Sequence, residues 1–153
     1  MQKNYKNIMQ ESLDFKNAEY KEIRIEETVS TRINYNGKSR ENVSINSHFG
    51  GSARSMSKGG WGFTSFNEID LAPSKMKESI ELANFSQNSA FEIHKNHPQK
   101  VALPAEVKKD PRKISLSEKI NLLEHYKELI LNDKRIQGCE IIYGDTERKV
   151  VFA

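Results

Sequence analysis

Among its 153 residues the chain has a single cysteine, Cys139. A lone thiol closes no intrachain disulfide, which excludes a secreted disulfide framework and fits a reducing, cytoplasmic setting. Long apolar runs are also missing: nothing approaches the ~18 residues that a spanning helix needs, and residues 1–10 are polar, without the apolar centre of a signal peptide. No membrane association is expected. Nor does charge of one sign accumulate. Lys+Arg 24 against Asp+Glu 21 leaves +3, with the signs interleaved along the chain. The densest basic group, Lys108, Lys109, Arg112 and Lys113, is interrupted by Asp110 and Pro111, which argues against a nucleic-acid partner. Proline is sparse, and three of its four occurrences (Pro98, Pro104, Pro111) fall in one short stretch.

What remains is a patterned, moderately polar chain, 36% hydrophobic with a mean hydropathy of −0.73. Its length suits one domain burying about two-thirds of its unfolded surface. Tyr5, Ile8, Met9 and Leu13 recur at helical spacing and predict a helix to about Phe15, stopped near Asn17. Ile23, Ile25, Val29, Ile33 and Tyr35 alternate with polar residues and predict a long strand with one wet face. Asn36-Gly37 predicts a tight hairpin. A return strand follows with Val43 and Ile45 on its apolar face, then a third strand from Phe49 to Met56, a turn at Lys58-Gly59-Gly60, and a fourth strand from Trp61 to Phe66.

Pro73, Met76, Ile80 and Ala83 predict a second helix to about Phe91. Residues 92–113 read as a proline-punctuated linker. Ser115-Leu116-Ser117-Glu118 has capping-box spacing and opens a third helix, with Leu116, Ile120, Leu123, Tyr126 and Ile130 as its inner stripe. A terminal hairpin is expected from Ile136 to Phe152, turning at Gly144-Asp145. The fold class is therefore α+β: a four-stranded antiparallel meander plus a C-terminal hairpin, covered by about three helices, in one domain over 1–153. Its parts are 1–91 (helix, sheet, helix), the linker 92–113, and 114–153 (helix and hairpin). The last residues read as strand, so truncation of a longer chain is expected.

Gly59-Gly60-Trp61-Gly62-Phe63-Thr64-Ser65-Phe66-Asn67 resembles the G-G-W-G-F-x-S signature of the TldD/PmbA family, also called modulators of DNA gyrase. The stretches Ala18 to Glu27 and Ile33 to Lys38 are similar to that family's first strand and hairpin. Asp110-Pro111-Arg112 and Ile114 to Ile120 resemble its linker and third helix. One departure is visible: Ser52 stands where the family often has a second glycine in G-x-G-x-R, here Gly50-Gly51-Ser52-Ala53-Arg54. The resemblance implies the amino-terminal, non-catalytic domain of a zinc metallopeptidase that cleaves peptides or unfolded proteins. Such members resemble one another in pairing as homo- or heterodimers. It implies a zinc held by an H-E-x-x-x-H helix and a later cysteine in a carboxy-terminal domain, the natural partner of this one. No cofactor or metal is expected in the present chain, since none of His48, His94, His97 and His125 is followed by Glu. A free-standing peptide-binding module is the alternative reading.

Individual candidates are weaker than the whole. His94 and His97 have H-x-x-H spacing but no third ligand nearby in sequence, and solvated loop histidines are the plainer reading. Cys139 has no adjacent positive charge and reads as packing. Glu26 and Glu27 are strand neighbours and point to opposite faces, so they are no carboxylate pair; Glu22, Arg24 and Glu26 read as a charge ladder. The candidate substrate groove is the glycine-rich hairpin: Gly50, Gly51, Arg54, Gly59, Gly60, Trp61, Gly62 and Phe63. Small residues would admit an extended peptide backbone and Arg54 would meet a carbonyl or carboxylate, while Trp61 is expected to fill core space.

Overall fold

The computed structural model describes residues 5–86, 93 and 99–153. Four strands, β1 (Tyr20–Asn36), β2 (Ser39–Ser57), β3 (Gly60–Phe66) and β4 (Glu140–Phe152), form one sheet in the order β3-β2-β1-β4. Three α-helices accompany it: α1 (Tyr5–Leu13), α2 (Ala72–Phe85) and α3 (Leu116–Leu131). The antiparallel α+β class expected from the periodicities holds. Two compact units divide the described residues, one drawn from 1–27, 48–99 and 149–153, the other from 28–47 and 100–148.

In the first unit, α1 and α2 bury the odd-numbered face of β1. Tyr5, Met9, Ile23, Ile25, Ala53, Phe66, Ile69, Met76 and Ile80 form its core. Helix α1 ends at Leu13, and Asn17, at φ 74°, takes the left-handed conformation that turns the chain toward β1. Pro73 occupies the first turn of α2, where no amide hydrogen is needed. That helix ends at Phe85, short of Phe91; residues 87–92, and with them the rest of that expected helix, lie outside the described residues.

In the second unit, α3 covers Ile33 and Tyr35, with Leu123 buried and Leu116, Ile120, Ile141 and Tyr143 packed around them. Its capping box is complete: the amide of Glu118 donates to the Ser115 hydroxyl, and the Glu118 carboxylate accepts from the Ser115 amide at 2.8 Å. Tyr126 is half-exposed and lies off the inner stripe. Lys119 takes a place among the buried residues and pairs with Asp145 at 2.8 Å.

Three sequence expectations change. The first hairpin turns at Gly37-Lys38 instead of Asn36-Gly37; only Gly37 has positive φ (57°), and Asn36 ends β1. The strands separated at Ser47 are one, β2, because β1 runs beside it without a break, and Val43 and Ile45 are exposed instead of forming an apolar face. The terminal hairpin is a single strand. Gly144 and Asp145 lie inside β4, which is antiparallel to β1: Ile23 and Ala153 exchange backbone hydrogen bonds of 2.8 and 3.0 Å, and the Gly37 amide donates to the Cys139 carbonyl. A Gly-Asp pair is a turn signal only where nothing competes, and here the Lys119 ammonium holds the Asp145 side chain.

Candidate functional site

The hairpin of β2 and β3 turns at Lys58 and Gly59, both at positive φ (47° and 76°), the geometry of the tight turns whose twist matches that of paired strands. From there the register runs Ser57 opposite Gly60, Met56 opposite Trp61, Ser55 opposite Gly62 and Arg54 opposite Phe63. Alternation then sorts the signature residues onto two faces with different work.

On one face the glycines are closed. A Cβ on Gly62 would stand 1.8 Å from the carbonyl oxygen of Ser79, and one on Gly60 2.3 Å from that of Ala83, so both admit the backbone of α2 and nothing else. Gly51 likewise leaves room for the Phe66 ring, 2.2 Å from the position a Cβ would take. Ser79 adds a buried hydroxyl bond to Ser55 at 3.0 Å, and Thr64 donates to the Lys75 carbonyl at 2.8 Å, fastening the helix to the strands. Gly59 belongs to the turn. Gly60, Gly62 and Gly51 thus serve internal packing, and only Gly50, where a Cβ would meet nothing, is open.

The opposite face carries Trp61 and Phe63, 41% and 61% exposed. Trp61 therefore does not fill the core, contrary to expectation: its strand neighbours Gly60 and Gly62 take the helix side, and alternation sends the indole outward. Arg54 lies 5.0 Å above the Trp61 ring, a cation–π distance, and Tyr20 meets the same ring edge-on at 5.7 Å. Glu22 holds the guanidinium by two contacts, Nε to Oε1 at 2.8 Å and Nη2 to Oε2 at 2.9 Å, and also accepts from the Tyr20 hydroxyl. The hydrogen bond to Glu22 raises the affinity of Arg54 for its proton against the opposing effect of burial. Burial, then the Glu22 carboxylate, pushes the Tyr20 hydroxyl above its ordinary range. Along β1 the ladder continues with Arg24 and Glu26, paired at 3.1 Å, whereas Glu27 turns to the other face and accepts from Tyr5. Of the expected groove residues the structure gathers Arg54, Trp61 and Phe63. Tyr20 and Glu22, which complete the cluster, were not legible as site residues, because only strand pairing brings them beside Arg54.

Cys139 is partly buried just before β4, and His48 and His125 lie on β2 and α3. His94 and His97 lie outside the described residues. Among the described residues no three His, Cys, Asp or Glu side chains converge as metal ligands, and no helix is long and apolar enough to cross a membrane.

Residues 22–84 match the family described as PmbA/TldA metallopeptidase domain 1, a span that takes in most of β1, the glycine-rich hairpin and nearly all of α2. Over that span the chain matches the TldD/PmbA family. It is 30% identical over 138 residues to a metalloprotease from Synechocystis, an alignment covering 89% of this chain and 30% of that protein. Its fold is that of a structure described as a candidate modulator of DNA gyrase from Bacteroides thetaiotaomicron (TM-score 0.72, 18% identity, 97% of this chain and 35% of the other). TldE from Thermococcus kodakarensis shares it as well (TM-score 0.63, 15% identity, 97% and 34%). The chain spans about a third of the length of these relatives.

Proposed function

We propose that this TldD/PmbA domain is the amino-terminal, non-catalytic part of a zinc metallopeptidase acting on peptides or unfolded proteins in the cytoplasm. In this reading its open sheet face roofs the cleft and positions substrate, and it takes part in dimerisation. The observation that carries the reading is the Arg54 cluster. A guanidinium held over an indole by a carboxylate has already lost much of its rotamer freedom, so offering its remaining N–H donors to a backbone carbonyl costs little further ordering. Glu22 offsets its charge, which suits a neutral carbonyl better than a carboxylate. Phe63 beside it provides apolar area without a shaped pocket, as a peptidase of loose specificity requires.

None of the four histidines begins an H-E pair. In this proposal the zinc belongs to the carboxy-terminal domain, and the present residues bind and orient. Support comes from the numbering of the family description, a first domain, and from the greater length of the metalloprotease relative. The test compares the 153-residue chain, the carboxy-terminal half and the full-length protein on an unstructured peptide. Arg54→Ala and Phe63→Ala in the full-length protein should raise KM severalfold with a smaller change in kcat, as expected for lost substrate binding. Full activity of the carboxy-terminal half alone, with unchanged KM, would sink the positioning role.

A further inference from the structure

Among the described residues, the part of β2 in the second unit has a partner strand on one side only. Strand β3 pairs with residues 51–57 of β2, which leaves the outer edge of residues 39–47 without a strand among the described residues. Val43 and Ile45 stand exposed along it. An open edge with apolar side chains is a template for another strand unless it is covered or guarded by charge; Arg40 and Glu41 guard one end of this edge, and residues 42–47 carry no charge.

The same unit contains a segment with the complementary defect. Residues 101–107 form no helix or strand, yet Val101, Leu103 and Val107 are exposed, Leu103 at 89%, and with Ala105 they occupy every second position. Period-2 alternation of this kind is strand patterning without a sheet. Pro104 fixes the phase. In a strand added to an edge, alternate residues direct their amides to the partner, and a proline is tolerated only where its missing N–H faces outward. Pro104 on the outer side puts residues 101, 103, 105 and 107 on the bonding side. It also blunts the new outer edge, so addition stops at one strand. At the root of the segment, Arg112 binds Asp110 and Glu147, each at 2.7 Å, and Glu147 belongs to β4 at the margin of the sheet opposite to β2. The segment itself is exposed and forms no strand of this sheet, so it does not cover its own edge.

Resting on the dimerisation proposed above, we infer that residues 101–107 of one copy add as a strand to the β2 edge, residues 39–47, of a second copy. When the same two copies exchange segments, each donor fills the other's acceptor edge, and the product is a closed two-fold dimer.

Sedimentation velocity on the 153-residue chain across micromolar concentrations tests both layers, with circular dichroism and melting temperature confirming that each variant folds. The wild-type chain should be a dimer. Leu103→Pro removes a bonding-side donor in each arm and should raise the dimer dissociation constant on the order of 100-fold, about tenfold per lost hydrogen bond. Ile45→Lys, a charge at the acceptor edge, should likewise yield folded monomer. Ala102→Pro, whose amide faces outward, should leave the dimer intact. A dimer indifferent to Leu103→Pro and Ile45→Lys would overturn this surface while leaving dimerisation standing. A wild-type chain that stays monomeric would remove both.

Discussion

A glycine can be present for its conformation or for its lack of volume, and the signature separates the two residue by residue. Gly59 is needed for its φ of 76°. Gly62 adopts ordinary strand geometry and is needed because the carbonyl of Ser79 lies where its Cβ would be. Gly62→Ala should therefore cost about 3 kcal/mol in urea unfolding, since the obstacle is helix backbone and cannot swing aside. Gly50→Ala, which meets nothing, should change stability by no more than about 0.5 kcal/mol. Equal effects at the two positions would show that the contact with α2 does not govern the motif.

Asp145 makes the second residue-scale case. Burial pushes its carboxyl pKa up, but hydrogen bonds from Lys119, Tyr143 and Thr31 outweigh this and leave it lowered. A folded-state value below the unfolded one, about 3.9, means the carboxylate contributes stability above roughly pH 4 and loses it as pH falls through the folded value. Asp145→Ala should cost about 3 kcal/mol at neutral pH, because it leaves the buried Lys119 ammonium without its counter-ion. Lys119→Met should cost less, and its unfolding free energy should fall less steeply between about pH 4 and 2 than that of the wild type.

At the scale of elements, α3 is the helix whose start was most legible. Serine at the cap and glutamate three residues on satisfy two of its free amides through a local sequence pattern, and no distant contact is needed to set it. Ser115→Ala should cost about 1 kcal/mol, read from the thermal or urea midpoint. Strands are less local. The break expected at Ser47 and the turn expected at Gly144-Asp145 both vanish, because each residue there has a neighbour on β1 that continues the ladder. Helix α2 was legible in its first turn and its apolar positions, but the reason it lies so close to β3 was not, since Gly60 and Gly62 read equally well as room for a ligand.

For the molecule as a whole, the proposed division of labour makes a plain prediction. The purified 153-residue chain should not cleave an unstructured peptide such as casein, with or without added zinc, whereas the full-length protein should. Cleavage by the chain alone that survives a chelator would refute the non-catalytic role. Sequence by itself determined the α+β class, the long wet-faced strand and the capping box, because alternation, helical spacing and caps act between residues a few positions apart. Only tertiary structure decided which side of the hairpin is open. Strand alternation fixes that Trp61 and Gly62 face opposite ways, but it does not say which face a helix will cover. The answer lies in a helix beginning at Ala72 that packs its Ser79 and Ala83 backbone onto the two glycines and so leaves the indole, with Arg54 held over it, on the outside.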